Sequence, residues 1–261
     1  TQANIIGKDE DAILNATDLP NNFYVGTRFV ANIVFPNKKI GSVGFKSLTH
    51  DKITNNLAKY SAKFSELIAR VMHSKGKIFI YSGFKEYAGL KSIIKILEAY
   101  GYKNYTKHGI GKNRFAVWSG DESSKIKDDI KRTFNAPDNL HGKKLRIMLG
   151  SPSIKEGVTL KAVRNVHVLE PYWNKSRLEQ VIGRASRFCS HYELHENQRK
   201  VRVYIYIATN HNEPMAVDQF IMLLAENKDK LNTQFEKAIK ESAIDCRLNI
   251  SANRDHIDKC D

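Results

Sequence analysis

The chain has 261 residues, 41% of them apolar and 27% charged, a globular composition that excludes a disordered polymer. Forty-two Lys and Arg against 28 Asp and Glu give a formal charge of +14, which favours a polyanionic partner because neutralised phosphates release counterions, without saying which nucleic acid. No apolar run reaches the ~20 residues of a bilayer span, and Cys189, Cys246 and Cys260 are odd in number and widely spaced, which fits free thiols in a reducing compartment better than a disulfide framework.

The first residue is Thr1, with no charged-then-apolar leader after it, as expected of an excised or processed piece. Residues 1–22 lack periodicity and read as an extended lead-in. Phe29, Val30, Ile33, Val34 and Phe35 suggest a strand or hairpin arm, with 41–45 as its partner. From residue 56 the pattern is helical: Phe64, Leu67, Ile68, Val71 and Met72 recur at helix spacing, with Ser61 or Ser65 available near the start and Gly76 at the end. Residues 77–82 form a short apolar run bounded by Gly, as a strand covered on both faces requires. Leu90, Ile93, Ile94 and Leu97 make the next helix, residues 114–119 a strand, and Ile126, Ile130 and Phe134 a polar helix that ends before Pro137. Strands follow at 145–149 and 166–169, then a helix from about Asn174, whose side chain can cap its free amides. Val201, Val203, Ile205 and Ile207 alternate as an edge strand would, and a last helix from about Met215 to Glu241 takes Leu231, Phe235 and Ala238 as its inner stripe.

Strands alternating with helices predict an α/β fold, a mainly parallel sheet covered by helices on both faces, with ligands at the carboxyl ends of the strands. Residues 1–55 are expected to be an extension or linker, 56–210 the α/β domain and 211–261 a helical appendage. The chemistry concentrates in Gln180-Val181-Ile182-Gly183-Arg184-Ala185-Ser186-Arg187. On a regular helix at about 100° per residue, Gln180, Arg184 and Arg187 fall within roughly 60° of one another. Leu178, Val181, Ile182, Ala185 and Phe188 form the opposite, apolar stripe. Gly183 adds no side chain between the two guanidiniums, and such a pair of rigid donor forks suits a multiply charged oxyanion.

Gln-x-x-Gly-Arg-x-x-Arg resembles motif VI of superfamily 2 helicases and translocases. With Glu170-Pro171-Tyr172-Trp173-Asn174 upstream and Phe188-Cys189-Ser190-His191 downstream, it resembles the helicase-like ATPases of large cytoplasmic DNA viruses, of the poxvirus and African swine fever type. The resemblance implies a RecA-like second domain of a two-domain motor, acting in viral transcription and located in the host cytoplasm or virion. It makes Arg184 and Arg187 arginine fingers on the ATP γ-phosphate, with Gln180 near the phosphate or the attacking water. Residues 147–160 resemble motif V, which implies that Ser151 contacts a nucleic-acid phosphate and that Glu156, Gly157 and Thr159 lie beside the nucleotide. Many family members carry Asp or Asn where this chain has Thr159. Tyr81-Ser82-Gly83 resembles motif IV, which implies phosphate contact by Ser82 and Gly83. Trp173 is either a stacking platform for bases or a packing residue at the start of the helix.

No Gly-x-x-x-x-Gly-Lys-Ser/Thr phosphate cradle exists in the 261 residues: around Gly109-Ile110-Gly111-Lys112-Asn113, Thr106 stands for the first Gly and Asn113 for the Ser or Thr. ATP and Mg²⁺ are therefore expected to belong to an N-terminal helicase domain of the same polypeptide, with none bound by this chain alone. A non-enzymatic nucleic-acid-binding module on a helicase scaffold is the other function considered. A dinucleotide oxidoreductase lacks its Gly-x-Gly-x-x-Gly opening. Cys189, His191 and His195 lack the second ligand pair of a zinc site, and no metal is expected there.

Overall fold

A computed structural model describes residues 24–253 apart from 156, 157, 211 and 213, and describes no side chain at 155, 252 or 253. The expected lead-in therefore lies outside the described residues, as do Glu156, Gly157 and Cys260. Six strands form one sheet: β1 (Lys77–Tyr81), β2 (Lys103–Asn104), β3 (Arg114–Trp118), β4 (Ile147–Gly150), β5 (Val163–Val168) and β6 (Arg202–Ile205). Their order is β2-β3-β4-β1-β5-β6, and every neighbouring pair is parallel. The expected strands at 77–82, 114–119, 145–149 and 166–169 all appear, and β6 is an edge strand as its alternation suggested.

Period-two alternation divides the core. Ile78 and Ile80 of β1 and Ile147 and Leu149 of β4 face one side, where they meet Phe64, Leu67, Ile93 and Leu97. Those residues come from α4 (Ala62–His73) and α5 (Leu90–Ala99). Ser61 caps α4 by accepting the Phe64 amide. Phe79, Tyr81, Met148, Val166 and Val168 face the other side. There they pack on Ile130 and Phe134 of α7 (Ser124–Asn135) and on Val181 of α8 (Lys175–Gly183). Sealing a side chain such as Phe79 away from water contributes about 1.5–3 kcal/mol.

The N-terminal region departs from expectation. Residues expected as a hairpin form α1 (Val25–Asn32) and α2 (Gly41–Ser47), and α3 (His50–Tyr60) runs across the 55/56 boundary. Ile33, Phe35, Leu48 and Ile53 are buried in the same core as α4 and α5. Phe29, Ile33 and Phe45 satisfy helix-to-core packing as readily as a strand pattern, and burial decides between them. At the other end, α9 (Val217–Glu241) buries Asp218, Ile221, Leu224 and Ala225. Its expected inner stripe faces solvent instead: Leu231 and Phe235 are 59% and 70% exposed. Residues expected to fray form α10 (Ile250–Asn253), and α6 (Tyr105–His108) had no sequence signal. Cys246 is disulfide-bonded, which corrects the expectation of free thiols at that position.

Candidate functional site

Asn174 starts α8 as expected, its side-chain oxygen accepting the Arg177 amide at 3.3 Å. The regular helix then stops at Gly183, three residues short of Arg187's neighbour Ser186. Arg184 and Ala185 close tight turns by donating their amides to Val181 and Ile182. Ser190 does the same to Arg187, and Cys189 takes a left-handed φ of 59°. Gln180, Arg184 and Arg187 thus do not share one face of a continuous helix. Val181 and Ala185 are buried as the stripe required, but Phe188, assigned to that stripe, is 98% exposed. An added Cβ at Gly183 would meet nothing within 4 Å, so no close approach in this structure demands glycine there. Gln180 is exposed.

What fixes the arginines is the chain between β4 and β5. Gly150 ends β4 against the Phe79 ring, where a Cβ would come within 2.7 Å of it. The chain then crosses the sheet face, burying Ile154, Val158 and Leu160. The Leu160 amide donates to the Arg184 carbonyl at 2.8 Å, and that of Ala162 to Ser190 at 2.8 Å. Thr159 comes just before them: its carbonyl accepts Asn135 Nδ2 at 2.7 Å, and its hydroxyl accepts Arg187 Nη1 at 2.9 Å. Burial, and then the charge of Arg187, lower the pKa of the Arg184 guanidinium. Among the described residues Arg187 makes no ion pair. This cluster adjoins the start of β5 and the end of α7, so it lies toward the amino edge of the sheet. The expectation that all ligand groups gather at the carboxyl rim fails for Thr159, Arg184 and Arg187.

At the carboxyl rim the candidate groups are turned inward. Ser82 is fully buried, and its Oγ lies 2.7 Å from Glu170 Oε1 and 3.0 Å from the Phe84 carbonyl. The Gly83 amide donates to Glu170 Oε2 at 2.8 Å, and Asn32 Nδ2 donates to Glu170 Oε1 at 2.7 Å. Burial pushes the Glu170 carboxyl upward, while Ser82, Gly83, Lys63 and Asn32 pull it down. Asn32 Oδ1 accepts Lys63 Nζ at 3.0 Å, Lys63 pairs with Asp218, and Asp218 accepts the Ala208 amide at 2.8 Å. Sequence reasoning missed this network; its one signal was Glu170, an acid directly after a strand. Ser151, 3% exposed, shares a hydrogen bond of 2.9 Å with Ser153. Trp173 packs on Tyr172 at 5.3 Å, with Lys228 Nζ 4.8 Å from its ring centre.

His191, considered as a metal ligand, is engaged at both nitrogens, with the Val163 carbonyl at 2.6 Å and Ser190 Oγ at 2.8 Å. Among the described residues no group of three or more His, Cys, Asp or Glu could hold a metal ion.

A central parallel sheet flanked by helices, with the motif-bearing segments along one face, is a RecA-like fold of the helicase C-terminal kind. Residues 61–189 match the helicase conserved C-terminal domain. A mimivirus protein described as an ATP-dependent RNA helicase is 46% identical over 237 residues, covering 90% of this chain and 41% of its own. A helicase of invertebrate iridescent virus 3 is 32% identical over 90% of this chain and 26% of its own. A termination factor homologue of African swine fever virus is 27% identical over 88% of this chain and 39% of its own. The chain spans well under half the length of each of these relatives. Among solved structures, the C-terminal part of the Fun30 ATPase domain overlaps 66% of this chain and 47% of its own, with TM-score 0.45 and 18% identity. Residues 61–189 thus belong to the helicase conserved C-terminal domain family, as it occurs in superfamily 2 helicase-like proteins of large DNA viruses.

Proposed function

We propose that this chain is the C-terminal motor half of an ATP-dependent helicase or translocase. In this proposal Arg184 and Arg187 act as arginine fingers on the γ-phosphate of ATP held by a second RecA-like domain of the same polypeptide. One observation carries it: the Arg187 guanidinium is tethered to the Thr159 hydroxyl, and its charge acts on the Arg184 guanidinium. Like charges that act on one another cost Coulomb energy that an anion reaching both would recover. A triphosphate whose equatorial oxygens gain charge in the transition state matches two fixed donor forks.

ATP with Mg²⁺ supplies the hydrolysable phosphoanhydride; residues of this chain contribute charge stabilisation and positioning. Thr159 holds the Arg187 side chain, and the Leu160 amide bonded to the Arg184 carbonyl fixes the backbone that carries both. No phosphate cradle exists in the 261 residues, so this chain by itself should not turn over ATP. Association with a nucleic-acid track and with viral transcription machinery, in the host cytoplasm or virion, belongs to the same proposal. The termination factor named among the relatives supports it.

The test uses the full-length protein. Arg187→Ala and Arg184→Ala should each lower steady-state ATP hydrolysis by about 10³-fold, the scale of a lost arginine finger. Binding of a fluorescent ATP analogue should stay near wild type. Unchanged turnover in both variants would overturn the assignment.

A further inference from the structure

Each of the six strands begins on or next to a cation: Lys77, Lys103, Arg114, Arg146, Arg164 and Arg202. Parallel pairing sets these cations close to one another. Lys103 lies beside Arg114, the Arg146 amide bonds to the Arg114 carbonyl, Lys77 lies beside Val163, and Arg164 Nε donates to the Lys200 carbonyl. The segments delivering the chain into the strands are 74–77, 100–103, 109–114, 136–147, 159–164 and 190–202. Together they hold thirteen Lys and Arg and three acids, Asp138, Glu193 and Glu196, leaving 29 cations and 25 acids in the rest of the chain. Most of the excess charge of this protein therefore sits on one edge of one sheet.

Solvated lysines scattered over a basic protein would not give this distribution. Among the described residues only Lys144 and Lys161 of the thirteen have a carboxylate partner. Arg114 and Arg146 donate to carbonyl and hydroxyl oxygens, which orient a guanidinium without neutralising it. Seven of the thirteen are exposed. Like charges side by side on adjacent strands oppose sheet formation, and a single-signed ridge focuses a field that draws in polyanions. At about 4.8 Å per strand the ridge is roughly 24 Å long, enough to follow several consecutive phosphates.

We propose that the amino edge of the sheet is a nucleic-acid-binding surface that grips the phosphodiester backbone without reading bases. It lies opposite the rim that carries Ser82 and Ser151, whose hydroxyls are turned inward. It is independent of the ATP assignment, since neither Arg184 nor Arg187 is counted in it.

The experiment measures binding of the full-length protein to labelled single-stranded DNA, single-stranded RNA and duplex DNA across a salt series. In the edge variant, Lys75, Lys103, Lys112 and Lys143 are all changed to Gln. In the control variant, Lys39, Lys46, Lys59 and Lys230, also exposed, are changed in the same way. The edge variant should lose on the order of tenfold in affinity at 0.1 M salt, and the slope of log K against log salt should fall by about three. The control should lose less than about twofold on that scale. The three oligonucleotides show whether the surface takes DNA, RNA or both, and loss on any one of them supports it. Equal losses in the two variants, or none in the edge variant, overturn it. Should the edge variant not fold, photo-crosslinking of the wild-type complex decides: crosslinked peptides from 100–114 and 136–147 support the surface, and crosslinks confined to 82–84 and 151–153 overturn it. Failure of the arginine-finger proposal would show in turnover and leave these results unmoved.

Discussion

At the carboxyl edge of the sheet the charged groups Glu170, Lys63 and Asp218 are buried and answer one another, whereas at the amino edge thirteen Lys and Arg face three acids and, among the described residues, only two of them have a carboxylate partner. The first arrangement is closed: Asn32, Lys63, Ser82 and the Gly83 amide are used to hold α1, α4, β1, β5 and α9 together. The second leaves charge unspent, and the paired guanidiniums of the candidate site adjoin it. Residue types that suit phosphate contact occur at both edges, so composition at a strand end does not reveal whether the fold has consumed its hydrogen bonds.

That contrast can be broken most sharply at Arg187. Arg187→Lys keeps the charge and loses the fork, so in the full-length protein we expect hydrolysis to fall by at least about tenfold. Wild-type turnover would mean that the Thr159 tether is only structural. Next in size is the closed network. Asp218→Ala leaves the Lys63 ammonium buried without its carboxylate and should cost about 3–5 kcal/mol in urea unfolding, whereas Lys63→Met combined with Asp218→Leu should restore most of it. If the single change costs under about 1 kcal/mol, the pair is not sealed from water. Ser82→Ala should cost about 1–3 kcal/mol of stability and leave nucleic-acid affinity unchanged; the reverse outcome would place Ser82 on the nucleic acid.

The last effect is one of pH. Burial holds the His167 imidazole down to about 3 and the Lys77 ammonium down to about 7. Both are bases with folded values below their ordinary 6.5 and 10.5, so the unfolded chain binds more protons within each window. Stability therefore climbs as pH rises from about 3 to 6.5 through His167 and from about 7 to 10.5 through Lys77. Lys77→Met should flatten the upper climb in thermal melts, and an unaltered slope there would exclude Lys77 as its source.

The sheet was largely legible because buried parallel strands are short apolar runs between glycines and polar turns, as at β1 and β4. Helices α4, α7 and α8 announced themselves through spacing and through the capping side chains of Ser61, Ser123 and Asn174. Helix α1 carries no such signal: it follows Tyr24 in a left-handed conformation with no side-chain cap, and its apolar residues satisfy either period. In the candidate site the residue types were legible but their placement was not. The helix was expected to carry both arginines, yet it ends at Gly183 because Leu160 and Ala162 take the carbonyls of Arg184 and Ser190. Those long-range partners leave no trace in local spacing.

The Lys63–Asp218 contact bears on how a minimal fragment should be cut. The family match spans 61–189, but an expression product with those borders would keep the ammonium of Lys63 and discard both Asn32 and Asp218, which cradle it. The shortest piece expected to give soluble protein runs from before Asn32 to beyond Ala225, and side-by-side yields of the two products would show it.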